Sequence, residues 1–496
     1  MGQENRQDPM HFGKARPGNG RSAVRFAAAF ALLSAICLFA ALPGARAQDA
    51  VPADTRIVDG VTLALPGGLQ PQSLLDGSYG TWADLPGGDA IGIASDEAFA
   101  FVYLIWDTPP GAWRFLAGGA TLEMGQNAYL HELVRLDAPA RQAAMLLPAQ
   151  AGRLCDVYLF RSGELPAWVQ QWQPILERAD LLALPTHADD EHLFFGGILP
   201  TYAGERQLAV QVAYMTNHWG ERYRPHELLN GLWTVGVTAY PLIGPFADLY
   251  VSKESLSAAE RTYGRESVLE FQVELLRRFK PKVVVGHDLA GEYGHGAHRL
   301  NAATLVDALA LCGDEAAYPD SAGRWGLWET PKAYLHLYAE NGIVMDWNLP
   351  LERFGGRTAY EMAVEGFACH RSQTEYFSVR QDGTWHDCRK FGLVHTLVGP
   401  DAAGGDLFEN IDLSPEPEPD PEPPSDPAPP EPVSPLDAAR MPEAEAPLQQ
   451  QAAGGAFGLP PAAVVAGLLA LAAALALVAV LSSRALRDRG GARRRT

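Results

Sequence analysis

A chain of 496 residues with 47% hydrophobic and 20% charged residues is long enough for two or three domains with apolar cores, which excludes a single small module. Its formal net charge of −20 argues against a nucleic-acid binder, which would present a basic face to phosphates.

In chain order, Lys14, Arg16, Arg21 and Arg25 lead into the apolar run Phe26 to Leu42, and Pro43-Gly44-Ala45-Arg46-Ala47 follows. This pattern reads as a secretory signal peptide over 1–47, with an uncleaved anchor as the alternative. Over 48–165, short strand-like runs such as Ala98 to Trp106 and Cys155 to Phe160 alternate with Gly, Pro and Asp clusters, which predicts a β-sandwich domain. Leu74-Leu75-Asp76-Gly77-Ser78-Tyr79-Gly80-Thr81-Trp82, followed by Ile105-Trp106-Asp107, resembles the discoidin-like, galactose-binding-like jelly rolls. Trp82, Trp106 and Trp113 are candidates for stacking on a sugar ring, against the commoner role of tryptophan in core or rim packing.

Over 166–400 the pattern changes. Ala179 to Leu184, Leu208 to Thr216 and Pro281 to Gly286 are continuous apolar runs, as expected of strands buried on both faces. Glu266 to Phe279 and Ala297 to Leu311 carry broad apolar helical faces. The alternation predicts an α/β domain with a Rossmann-like, mostly parallel sheet and helices on both faces, whose ligands gather beyond the carboxyl ends of strands. Residues 411–455 form a Pro/Glu-rich linker with neither core formers nor period. Residues 461–483 are apolar and uncharged for the length of a bilayer core, and six arginines lie in the basic tail 484–496. That ending predicts a single-pass membrane protein with an extracytoplasmic enzyme and a cytoplasmic C-terminus. Beyond the signal segment, Cys155, Cys312, Cys369 and Cys388 allow one or two disulfides in three pairings, of which Cys369 with Cys388 closes the shortest loop, with four free buried cysteines as the alternative.

The polar clusters fall where the α/β geometry puts ligands. The first apolar run ends in Pro185-Thr186-His187-Ala188-Asp189-Asp190-Glu191-His192, and Leu193 to Leu199 then reads as a helix. The run Lys282 to Val285 ends in Gly286-His287-Asp288, with Gly291-Glu292-Tyr293-Gly294-His295-Gly296-Ala297-His298 opening the next helix. Imidazole and carboxylate donors of this kind suit zinc, which in catalysis takes three protein ligands and leaves a position open. The first cluster supplies two ligands and a spare carboxylate; the second supplies the third. Isolated His192 and His287 read as structural histidines, and Glu191 as a helix cap or a brace.

P-x-H-x-D-D-E after a strand and G-E-Y-G-H-x-x-H later resemble the two signature segments of the PIG-L/LmbE-type zinc-dependent deacetylases. The resemblance spans 180–395. It includes Ala213-Tyr214-Met215-Thr216, Arg224-Pro225-His226-Glu227-Leu228 and Cys369-His370-Arg371-Ser372-Gln373. It implies His187, Asp190 and His298 as ligands of Zn2+, Asp189 as general base and His295 as the group that stabilises or protonates the tetrahedral intermediate. It also implies Arg224 and Asp248 as substrate contacts, and removal of acetate from an N-acetylated amino sugar on a glycan or glycoconjugate. Other readings are a different amide hydrolase of the same fold, or an impaired carbohydrate-binding surface protein. The family commonly writes H-P-D-D-E and H-P-D-H, where this chain has Ala188, Gly296 and Ala297. Loss of the carboxylate at 297 leaves His295 without its usual partner, for which Asp288 or Glu292 are the available substitutes.

Overall fold

The computed structural model describes residues 55–249, 251, 255–383 and 386–414. Among these residues, fifteen strands build two sheets. The first contains β1 (Arg56–Ile57), β2 (Val61–Ala64), β3 (Ala83–Leu85), β4 (Ala90–Trp106), β5 (Trp113–Ala117), β6 (Ala120–Met124), β7 (His131–Leu146) and β8 (Gly152–Phe160). The second contains β9 (Leu181–Ala183), β10 (Val210–Asn217), β11 (Leu242–Ala247), β12 (Val283–Gly286), β13 (Lys332–His336), β14 (Gly342–Val344) and β15 (Lys390–Thr396).

The second sheet is mixed α/β as the apolar runs require. Its order is β11-β10-β9-β12-β13-β15-β14, with the first five strands parallel and β15 antiparallel to both its neighbours. β9 and β12 are buried at every residue. They pair side by side, Leu181 to Val283 and Ala183 to Val285, so the polar segments after both emerge at one end of the sheet. The helices Arg265–Phe279 and Gly296–Leu311 occupy the stretches predicted for them. The segment 193–199 does not continue as a helix. The helix Asp190–Leu193 is a single turn, because Gly196 takes φ +53 and a Cβ there would lie 2.7 Å from Cys388 Sγ.

A two-sheet sandwich is not confirmed in the N-terminal part. All eight strands join in one antiparallel sheet because β4 and β7 pair along most of their length, from Ala90–Leu146 to Ile105–His131. β2 pairs the first half of β4 and β8 the second, with irregular register between Ala94 and Phe99. Trp106 and Trp113 are buried against each other, with Trp113 Nε1 donating to Glu132, so neither offers a face to a sugar. Trp82 is flanked by the guanidinium groups of Arg222, at 4.3 Å, and Arg153, at 5.3 Å.

The first sheet abuts the helix Arg224–Thr234. Tyr103 Oη lies 2.8 Å from His131 Nδ1, whose Nε2 lies 2.9 Å from His226 Nδ1. Tyr79 stacks on the His226 ring, and Asn230 donates to its hydroxyl. Burial pushes both histidines down, His226 to about 3, so the relay is made of neutral imidazoles.

Of the two readings of the cysteines, the one without disulfides holds: Cys155, Cys312, Cys369 and Cys388 are buried and form no disulfide with one another, and Cys369 Sγ faces Thr234 Oγ1 at 3.5 Å. The expected membrane location is corrected: among the described residues no helix is long and apolar enough to cross a membrane. The signal segment, the linker from 415 on, the apolar span 461–483 and the basic tail that motivated it lie outside the described residues.

Candidate active site

The segment after β9 turns sharply at Asp189, whose φ of 110° is left-handed for a residue with a side chain. Such a conformation costs on the order of 1–3 kcal/mol and needs over-determination by neighbours. Two residues, Glu191 and Arg224, supply it. The Asp189 N–H donates to Glu191 Oε2 at 2.9 Å, and Arg224 reaches Asp189 Oδ2 at 3.3 Å while also donating to the Ala188 carbonyl. Arg224 starts its helix and is itself buried.

Around this turn, three donor atoms converge. His187 Nδ1 lies 3.3 Å from Asp190 Oδ2 and 3.1 Å from His298 Nε2, and His298 Nε2 lies 3.3 Å from Asp190 Oδ2. Ligand bonds of about 2.0 Å at tetrahedral angles give ligand-to-ligand edges of about 3.3 Å, so this triangle fits one face of a zinc-type site. Both histidines have their other nitrogen turned to a carboxylate. His298 Nδ1 donates to Glu292 Oε2 at 2.7 Å, and His187 Nε2 faces Asp248 Oδ1 at 3.5 Å. That arrangement fixes the tautomer which leaves the inward nitrogen's lone pair free for a cation. His287 also approaches Asp190, at 3.3 Å, but its Nε2 already accepts from the Thr186 N–H and its Nδ1 lies on Glu292. It therefore holds the loop rather than offering a ligand atom.

Electrostatics follow the geometry. Burial alone would raise Asp190, yet His298 and His287 hold its carboxyl well below the usual carboxylate range. Burial would lower His298, but Asp190 and Glu292 lift it to about 10. Burial pushes Asp189 up, with Arg224 opposing. A cation at the triangle would reverse the last two directions, since its own charge dominates so small a space.

His295 sits at the start of the helix Gly296–Leu311 with its ring centroid 4.9 Å from that of His187 and 4.6 Å from that of His298. Burial, then the neighbouring His298 and His187, push it down to about 3, and its buried Nδ1 has no hydrogen-bond partner among the described residues. Neither substitute for a carboxylate at 297 reaches it. Glu292 is spent on His287, His298 and His336, and Asp288 accepts from the Ala290 N–H. Asp248 bridges His187 and His218 Nδ1, the latter at 3.3 Å, and is 35% exposed at its side chain. His218 Nε2 in turn accepts from the Ala188 N–H.

Glu292 braces the imidazoles around the triangle, a role its place in the sequence does not announce. Its φ of 51° bends the 291–295 turn so that one carboxylate serves three imidazoles. Glu292→Gln is expected to weaken metal binding about 10- to 100-fold, as loss of such outer support does. Competition against a chromophoric chelator would measure this.

No family model matches the chain. Among curated proteins, it is 26% identical over 233 residues to the 1D-myo-inositol 2-acetamido-2-deoxy-alpha-D-glucopyranoside deacetylase 2 of Saccharopolyspora erythraea, covering 42% of this chain and 79% of that protein. It is 24% identical over 302 residues to deacetylase 1 of the same description from Frankia casuarinae, covering 49% of this chain and 98% of that protein. Among solved structures, the N,N'-diacetylchitobiose deacetylase from Pyrococcus horikoshii aligns at 19% identity over 39% of this chain and 71% of that one, with a TM-score of 0.30. The curated relatives are deacetylases, as the resemblance in the sequence implies; the discoidin-like assignment of the N-terminal part is not shown. The chain is an enzyme, a hydrolase of the acetamide-cleaving class.

Proposed function

We propose that the chain is a zinc-dependent N-deacetylase of an N-acetylated amino sugar of the N-acetylglucosamine type. The observation that carries this reading is the triangle of His187 Nδ1, Asp190 Oδ2 and His298 Nε2, with 3.1–3.3 Å edges, beside the strained Asp189. Zinc held by these three would acidify water and polarise the amide carbonyl. Asp189, steered by Arg224 through Oδ2, uses its carboxylate as the general base toward the attacking water and passes the proton to the leaving amine. His295, pushed down to about 3, is a neutral imidazole at neutral pH and acts as an N–H donor to the developing oxyanion rather than as an imidazolium acid. Arg224 and the exposed part of Asp248 remain the residues for sugar hydroxyls. We assign the catalytic part to 166–400, and 48–165 to a β-domain whose relay to His226 steadies the helix that begins at Arg224.

The proposal is supported by relatives whose names state deacetylation of an acetamido sugar. A panel of N-acetylated amino sugars, N-acetyl amino acids and thiol-conjugate amides tests it. Acetate and free amine should appear in equal amounts from the sugars. Release from the other amides alone would replace the substrate assignment, and inactivity on all of them would remove it.

A further inference from the structure

We propose that Glu191, His192 and His370 form a second metal site, a sealed centre for a divalent cation of zinc type beneath the strained turn that carries Asp189.

All three side chains are wholly buried, and their donor atoms lie within 4.8 Å of one another. Glu191 Oε1 is 3.1 Å from His370 Nε2 and 3.4 Å from His192 Nε2, edges close to those of the His187, Asp190 and His298 triangle. The second observation is an unpartnered ring. Both nitrogens of His192 are buried without a hydrogen-bond partner, and so is Nδ1 of His370. Each such atom is destabilising when left unpaired, and native proteins keep few of them unless an ion or a water is bound.

Two glycines let the surrounding helices close on these nitrogens. A Cβ at Gly231, inside Arg224–Thr234, would meet His192 Nε2 at 2.7 Å, His370 Nε2 at 2.9 Å and the Gly366 carbonyl oxygen at 3.0 Å. The imidazole nitrogens of His192 and His370 thus pack against the Gly231 backbone, and Glu191 Oε1 lies 3.1–3.4 Å from both, which makes a three-donor set of two imidazoles and a carboxylate. Gly366, inside Ala359–Ala368, lies as close to His192, whose Nδ1 would be 2.8 Å from its Cβ. Glycine inside a helix is destabilising, and close approach to the donor cluster accounts for both.

No solvent position opens on this cluster, so the role is structural. Glu191 spends its other oxygen on the Asp189 N–H. A cation there would tie the base-bearing turn to the His370 segment, which is 179 positions distant.

Elemental analysis of the full chain after equilibration with zinc and removal of free metal tests this. Two zinc ions per chain are expected, falling to one in Asp190→Asn through the first site and to one in His370→Gln through the second. One ion in the wild type and none in Asp190→Asn would overturn the second site while leaving the first intact. If His370→Gln does not fold, anomalous diffraction from wild-type crystals at the zinc edge decides. A peak among Glu191, His192 and His370 is expected, and a water or no peak there overturns the proposal.

Discussion

Asp189→Asn is expected to lower kcat by about 10²- to 10⁴-fold, the usual contribution of a positioned general base, with zinc content unchanged. The separation of effects follows from geometry. Asp189 has no oxygen in the donor triangle; its Oδ2 lies on Arg224 and its backbone N–H on Glu191. Asparagine keeps the size and can still accept from Arg224, so the turn should survive. What it cannot do is take a proton. Acetate-release kinetics with parallel metal analysis would check this, and a variant losing both zinc and activity would move Asp189 from base to ligand.

His295→Ala is expected to lower kcat by about 10²- to 10³-fold, as removal of one oxyanion donor does, again without loss of zinc. The distinguishing readout is the pH profile. An imidazolium acid would make activity fall as pH rises through its pKa. His295 has no carboxylate at 297, and burial with two neighbouring imidazoles pushes it down to about 3, so it is already neutral throughout the working range. The wild type should therefore show no basic limb that disappears in His295→Ala. A basic limb lost in the variant would show that the histidine works as an acid despite Ala297.

Much of the second sheet was legible because strands buried on both faces write themselves as unbroken apolar runs. Ala179 to Leu184 and Pro281 to Gly286 contain β9 and β12, and the polar clusters fall after each. The N-terminal sheet was harder. Ser95-Asp96-Glu97 looks like a break, yet β4 runs through it from Ala90 to Trp106, so one long strand joins what reads as separate pieces. The task of Glu292 was hidden for another reason: a left-handed turn aims it back under His298, and no periodicity encodes that. Gly196 likewise ends a helix that the apolar pattern would extend, because the chain needs φ +53 where Cys388 comes close. The pairing of Glu191 with His370 depends wholly on tertiary folding.

Titrating zinc back into chelator-treated full chain tests whether one ion at His187, Asp190 and His298 drives acetamide hydrolysis, as proposed. Acetate release from an N-acetylated amino sugar should be absent in the stripped protein and rise with added zinc, while Asp190→Asn stays inactive at every concentration. Equal activity in the stripped and zinc-loaded chain would show that hydrolysis does not depend on an ion at these residues.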